Sequence, residues 1–67
     1  MYYEVIAQMA KERGISIKSL EEAAGLGNGA IGKWRTLKPN IGNLEKVAKV
    51  LNVKVIDIVK ASEAAGD

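Results

Sequence analysis

Apolar residues recur at helical spacing in several short segments of the chain, and glycine or proline separates these segments. In the first segment, Tyr2 to Arg13, the side chains of Ile6, Met9 and Ala10 fall on one face at the three-to-four spacing of an amphipathic helix. Gly14 follows a basic stretch, which is typical of a helix end. The pattern therefore predicts a first helix over this range.

Two shorter segments follow and predict a second and a third helix. The second begins at Ser16, a favourable N-cap, and ends at Gly25. We expect it to turn Leu20, Ala23 and Ala24 inward and Lys18, Glu21 and Glu22 outward. The third, Asn28 to Leu37, places Ile31 and Trp34 toward the core. Gly29 and Gly32 each cost such a helix about 1 kcal/mol relative to Ala, so the third helix depends on tertiary packing.

The second half of the chain predicts two further helices. Asn40, after Pro39, is the expected N-cap of the fourth. This helix has the clearest apolar stripe, made of Ile41, Leu44, Val47, Ala48 and Leu51. The fifth starts at about Val55 and turns Ile58, Val59 and Ser62 inward. Its β-branched start, Val55-Ile56, leaves a strand open as an alternative.

Together these segments predict an all-α fold, a compact bundle of about five short helices. We expect one domain over residues 1–67, with a core over about 4–60 and a frayed tail over 61–67. The second and third helices are joined near Gly25 by a turn of three to four residues. That arrangement is the layout of a helix-turn-helix.

Composition narrows the possible functions. The 67 residues include no cysteine and no histidine, so we expect no disulfide, no Cys/His metal site and no cofactor. No apolar run approaches the roughly 20 residues of a membrane span, and the N-terminus lacks the pattern of a signal peptide, so we expect a cytoplasmic protein. The net charge of +2 is a weak indication of an anionic partner.

The usual signatures of catalysis are missing from the sequence. Three serines, Ser16, Ser19 and Ser62, have no candidate base nearby. Glu21 and Glu22 are adjacent and would diverge on a helix, so they do not form an acid–base pair. The glycines of segment 25–29 lack the preceding strand and the Lys-Ser/Thr pair of a phosphate loop. We therefore expect no enzyme.

An ordered set of residues over most of the chain resembles the lambda-repressor-like family, which includes the Cro and repressor proteins of phages and many bacterial regulators. The set consists of Gly14-Ile15-Ser16, Leu20, Ala24-Gly25-Leu26, Asn28 to Trp34, Pro39, Leu44, Val47-Ala48, Leu51-Asn52-Val53 and Ile58-Val59. Three positions depart from the family pattern: Gly27 replaces a capping Ser or Thr, Arg35 a common Glu, and Lys54 a common Ser.

The resemblance implies sequence-specific binding of a double-stranded DNA operator, as in a phage-type or bacterial transcriptional repressor. In that family the helix at 28–37 lies in the major groove and its first residues meet the base edges. The implied base-contacting residues are Asn28, Gly29, Gly32 and Lys33. The implied contacts to the DNA backbone are Ser16, Ile17, Lys18, Arg35, Lys38, Asn40 and Asn43. Free N–H groups at the start of this helix are also expected to face a phosphate.

The chemistry of these residues suits DNA. Asn can pair bidentately with adenine, and Lys can donate to guanine. Structural roles without DNA contact also stay open for these residues. Asn28 could simply begin a helix, the two glycines could allow close helix packing, and a solvated face could consist of Lys33, Arg35 and Lys38.

Two questions about partners also stay open. A protein-interaction module on the same fold is the alternative function, although it should expose apolar side chains on the third helix. We expect a homodimer on DNA through the last helix, where the core can take Ile58 and one neighbour, and Ile56, Val59 or both are left to meet a second subunit. Tyr2 and Tyr3 are either a dimer contact or part of a frayed N-terminus. No membrane partner and no small-molecule effector is indicated.

Overall fold

The computed structural model describes residues 1–66, with side chains through Ala64, and within that range it contains helices and no strand. The elements are α1 (Tyr2–Glu12), α2 (Ile17–Ala24), a 3₁₀ helix (Ile31–Arg35), α3 (Ile41–Leu51) and α4 (Val55–Gly66). The all-α prediction is confirmed, with four α-helices rather than about five. None of these helices is both long and apolar enough to cross a bilayer.

Three helices end in the same geometry, a left-handed residue followed by a half-buried apolar residue. The left-handed residues are Gly14, Gly25 and Asn52, with φ of 69°, 73° and 58°. The next residues, Ile15, Leu26 and Val53, donate their backbone N–H to the carbonyl oxygen five residues earlier, at 3.0, 2.8 and 3.0 Å. This Schellman motif satisfies carbonyls of the last turn and directs an apolar side chain back to the core.

Side-chain caps begin α2 and α3 as the sequence predicts. Ser16 Oγ accepts the N–H of Ser19 at 3.0 Å, and Asn40 Oδ1 accepts the N–H of Asn43 at 2.8 Å. At the start of α4, where the side chain of Lys54 cannot cap, Asp57 Oδ2 accepts the Lys54 N–H at 3.2 Å. That bond is one half of a capping box, and α4 begins at Val55 as a helix rather than a strand.

The core is aliphatic apart from one tryptophan. Its buried side chains are Ile6, Ala10, Leu20, Ile31, Trp34, Leu44, Val47, Ala48, Leu51 and Ile58. α1 packs against α2, α4 and the 3₁₀ helix, while α3 packs against α2 and α4. The predicted inward positions Ile6, Leu20 and Ile58 are therefore confirmed.

Three predicted orientations are wrong. Ala23 is exposed and Glu21 is buried, because α2 turns the face of residues 17, 20, 21 and 24 to the core, at the i, i+3, i+4, i+7 spacing. Ile41 is 60% exposed. It occupies the first position of α3, and the first residue of this helix that is buried in the core is Leu44.

The end of α4 lies beside the start of α1. Ser62 is buried, and its carbonyl oxygen accepts a hydrogen bond from the Met1 ammonium group at 3.3 Å. The predicted tail, residues 61–67, includes the last residues of α4 up to Gly66, and Asp67 lies outside the described residues.

Candidate nucleic-acid interface

The segment predicted to read DNA is a turn followed by a 3₁₀ helix, not one α-helix over 28–37. Residues 28–30 form the turn, and the helix runs from Ile31 to Arg35. The connection from α2 therefore spans residues 25–30 and is longer than the predicted three to four residues. Gly29 has φ of 84°, which no α-helix contains, so the helix begins only after it. Ile31 and Trp34 face the core as predicted, with Trp34 only 7% exposed.

A carboxylate from α2 holds this turn. Glu21, 4% exposed, accepts the Gly29 N–H at Oε1 (3.1 Å) and the Ile31 N–H at Oε2 (2.9 Å). The prediction that Glu21 points outward to solvent is therefore wrong. Two charge-assisted hydrogen bonds offset the cost of removing the carboxylate from water. The sequence signal for this residue was indirect: Gly27 stands where a capping side chain is usual, so the N–H groups that follow need another acceptor.

These bonds also change the expected role of the start of the reading segment. The N–H groups of Gly29 and Ile31 already have a carboxylate partner within the protein. The N–H of Ala30, which lies between them, donates to the Gly27 carbonyl oxygen at 3.1 Å. The expectation of free N–H groups for a phosphate is therefore wrong for Gly29, Ala30 and Ile31.

The side chains proposed to meet bases lie on the outside of this segment. Asn28, Gly29 and Lys33 are exposed, and Gly32 is half-buried. An alanine Cβ at Gly29 or at Gly32 would meet no heavy atom within 4 Å. The interpretation that close helix packing requires these two glycines is therefore wrong.

The start of α2 brings three of the predicted backbone-contacting residues together. Lys18 is exposed to solvent, whereas Ile17 is half-buried and packs against the core. Ser16 is exposed, but its hydroxyl already caps α2 and donates to Ser19 Oγ at 3.0 Å. Lys18 is thus the one charged residue of this group, and its side chain is exposed to solvent.

Arg35 lies on the side of the 3₁₀ helix that meets α1. Its guanidinium carbon is 4.1 Å from the centroid of the Tyr3 ring, a cation–π contact. Tyr2 and Tyr3 belong to α1 and pack against the core, so the frayed N-terminus considered above is wrong. Stacking occupies one face of the guanidinium group and leaves its N–H edges available to an acceptor.

The loop between the 3₁₀ helix and α3, together with the first turn of α3, carries the remaining predicted contacts. Lys38 is exposed, and Asn43 is half-buried. The side-chain oxygen of Asn40 is engaged as the α3 cap, so only the amide nitrogen of that side chain is left to donate. Pro39 is buried and anchors this loop to the domain.

Charge is distributed unevenly along the chain. Residues 23–44 contain no Asp or Glu, and their three charged residues, Lys33, Arg35 and Lys38, are all basic and exposed. Among the described residues the one ion pair joins Arg13 to Glu12 at 3.9 Å, outside this stretch. The charged side chains of this stretch are therefore all positive. The acidic groups near it come from other helices: Glu21 of α2 is buried beneath the turn, and Glu63 of α4 lines the same cavity as Arg35 and Lys38.

Comparison with known proteins agrees with this geometry. No curated protein and no solved structure matches the chain. A family model of the Cro/C1-type HTH DNA-binding domain matches residues 5–63, from the first turn of α1 into the last turns of α4. That range includes α2, the turn held by Glu21, and the 3₁₀ helix. The chain therefore belongs to the Cro/C1-type helix-turn-helix family of DNA-binding domains.

Proposed function

We propose that this DNA-binding domain is a sequence-specific transcriptional repressor of the phage or bacterial type. The observation that carries the proposal is the exposed polar surface of Asn28, Gly29 and Lys33, in the middle of a stretch of 22 residues, 23–44, without an acidic side chain. A surface of this kind can approach the polyanionic duplex while it offers hydrogen-bonding groups to the bases.

The proposed base contacts are divided by chemistry. The amide of Asn28 matches the N6 and N7 positions of adenine, and the ammonium of Lys33 matches O6 and N7 of guanine. Gly29 and Gly32 leave room for the backbone or for a thymine methyl group, because no side chain projects there. These four residues define the proposed base-reading surface.

The proposed contacts to phosphates surround that surface. The cationic members are Lys18, Arg35 and Lys38, and the neutral members are Asn40, Asn43 and the backbone at Ser16 and Ile17. The cations fix affinity and orientation, whereas the neutral groups add hydrogen bonds without sequence information. For Arg35, the Tyr3 ring supports one face of the guanidinium while its edge donates to a phosphate.

The proposed functional unit on DNA is a homodimer. A single domain offers one short reading segment, and helix-turn-helix proteins usually bind two half-sites about 34 Å apart. Ile56 on α4 is 50% exposed, whereas its neighbour Ile58 is fully buried. An exposed isoleucine on the last helix gives a second copy a small apolar contact.

Selection of duplexes from a random pool tests this function. The full chain should enrich one motif, and a two-fold unit predicts that the motif is an inverted repeat. The comparison variant is Asn28→Ala, which removes one exposed side chain and no observed hydrogen bond of the fold, and which should relax the motif at one or two base positions. Recovery of unenriched sequence after repeated rounds would reject sequence-specific reading.

One observation favours the alternative of a protein-interaction module. Leu37 is 62% exposed and Ile41 is 60% exposed, and the two flank residues 38–40. An apolar partner surface would use these two side chains and not Asn28 or Lys33. Substituting both by Ser separates the functions: DNA selection should survive the change if the domain acts through the base-reading surface.

A further inference from the structure

The carboxylate of Glu21 is the only buried charged group among the residues whose side chains are described, and DNA contact does not use it directly. It lies in the middle of α2, eight residues before Gly29 and ten before Ile31, and bonds the backbone N–H of both. Its two oxygens are divided between the two N–H groups. The carboxylate therefore acts as a clamp that joins α2 to the start of the reading segment.

The clamp grips the most irregular part of the segment. Gly29 has a left-handed backbone, and it is exposed, so packing does not fix it. A Cβ at this position would meet nothing within 4 Å, which shows how open the surroundings are. The hydrogen bond from its N–H to Glu21 is therefore the contact that orients the peptide between Asn28 and Gly29. The direction of the Asn28 side chain depends on the orientation of that peptide.

Charge points to the same role. Glu21 places a negative group under a surface that binds a polyanion, which by Coulomb's law weakens binding to every duplex. A buried carboxylate at this place favours DNA binding only if the backbone geometry that it fixes contributes more to the binding free energy than its repulsion of the phosphates removes. It also fills the place that a phosphate would take at the start of this segment.

On the strength of the sequence-specific function proposed above, we infer that Glu21 is a positioning residue for base recognition: it sets the DNA discrimination of the domain through the backbone of Gly29 and Ile31, without touching DNA. Discrimination here means the Kd for a scrambled duplex divided by the Kd for the duplex selected by the wild-type chain. A misdirected Asn28 side chain loses its base contact but leaves the phosphate contacts in place.

The experiment compares four forms of the full chain on those two duplexes. Glu21→Gln keeps the shape and can accept only one of the two N–H groups; Glu21→Asp keeps the charge but is one methylene too short to reach both. The matched control is Glu22→Gln, which makes the same charge change at the exposed neighbouring position. Wild type should discriminate by about 10³ or more.

Both Glu21 variants should lose discrimination by roughly tenfold or more, the scale of one lost base contact. For the scrambled duplex, the Kd of Glu21→Gln should stay within about twofold of that of Glu22→Gln, and the Kd of Glu21→Asp within about twofold of that of wild type, because each pair has the same net charge. Glu22→Gln should keep wild-type discrimination. A purely electrostatic role would instead make Glu21→Gln bind both duplexes more tightly with an unchanged ratio, and a purely structural role would weaken both duplexes equally. Either result overturns the inference.

Amide hydrogen exchange of the free protein gives a second measurement that needs no DNA and no variant. In wild type the Gly29 amide should exchange at least about tenfold more slowly than the amide of exposed Asn28, because the clamp is its protection. Fast exchange at Gly29 overturns the clamp even if a Glu21 variant fails to fold.

The DNA-binding measurements distinguish the failure of the inference from the failure of the proposed function. If wild type does not discriminate between the two duplexes, the proposed function is rejected, and the inference with it. If wild type discriminates and both Glu21 variants discriminate equally well, the inference alone is rejected.

Discussion

The Nε group of Arg13 donates a hydrogen bond of 2.6 Å to the carbonyl oxygen of Leu51, so the end of α1 is tied to the end of α3. The Nη1 group of the same side chain donates to the Met9 carbonyl oxygen at 3.1 Å. Carbonyls in the last turn of a helix have no partner within the helix. One arginine thus satisfies two such groups from different helices.

Arg13→Met should lower the free energy of unfolding by about 1 kcal/mol, because it removes both hydrogen bonds from a side chain that is partly open to solvent. Urea denaturation followed by circular dichroism measures the change. Lys11→Met, at an exposed position of the same helix, is the control and should change stability by less than about 0.5 kcal/mol. Equal effects of the two substitutions would contradict a special role for Arg13.

Binding to the selected duplex should depend strongly on salt. If two chains neutralise roughly 6–10 phosphates, affinity should fall by about 10³–10⁵ between 50 and 200 mM salt. Lys38→Gln should lower the slope of log affinity against log salt by about 1 per chain, whereas Lys60→Gln, on α4, should leave it unchanged. Fluorescence anisotropy across a salt series provides the slopes, and a flat dependence would reject the phosphate contacts.

Base reading and phosphate contact should separate by substitution. Asn28→Ala or Lys33→Ala should relax preference at one or two base positions, each worth about 1–3 kcal/mol. Lys18→Ala should weaken all duplexes alike, since a phosphate contact carries no sequence information. Repeating the selection with each variant measures the effect, and a motif unchanged by Asn28→Ala would show that the reading surface is wrongly assigned.

Trp34 is the largest side chain of the core and is expected to be indispensable for folding. Trp34→Ala should cost roughly 3–5 kcal/mol, which approaches the whole stability of a small domain. Leu37→Ala is the control, because that side chain is mostly exposed and should contribute little. Thermal unfolding monitored by circular dichroism compares the two, and a folded Trp34→Ala chain that loses only DNA binding would place the ring in the interface instead.

The homodimer should depend on Ile56. On a selected duplex of about 20 base pairs, sedimentation should give two chains for wild type. Ile56→Glu should reduce that number at the same protein concentration, because it introduces a charge into a small apolar contact. Ala64→Glu, also exposed on α4, should leave the stoichiometry at two. One wild-type chain per duplex at saturation would reject the dimer, and two chains for Ile56→Glu would reject this interface.

The elements that the sequence predicted best are those fixed by local chemistry. Ser16 and Asn40 are capping residues read directly from their type and place, and Gly14 and Gly25 end helices as glycine does at a left-handed position. The stripe from Leu44 to Leu51 follows from period alone. These features need only the residues within one or two turns of each other.

The reading segment could not be predicted in the same way. Its first residues are hydrogen-bonded to Glu21, and these bonds reach eight and ten residues along the chain. A Glu in a short amphipathic helix is normally a solvated side chain, so residue type favoured the wrong face. The contact of Arg35 with Tyr3 is likewise tertiary, because it brings together residues 32 positions apart.

The repeated helix ends restrict where this chain can change in length. At each of the three, the left-handed residue and the apolar residue after it must stay adjacent, because one turns the backbone and the other enters the core. An insertion or deletion at residues 14–15, 25–26 or 52–53 would disrupt this pairing, because the apolar residue would no longer directly follow the left-handed residue. The exposed residues 36–38 carry no such pairing. Natural length variants of this domain should therefore differ there, which would move Lys38 relative to the reading segment and change the DNA site while the fold is kept.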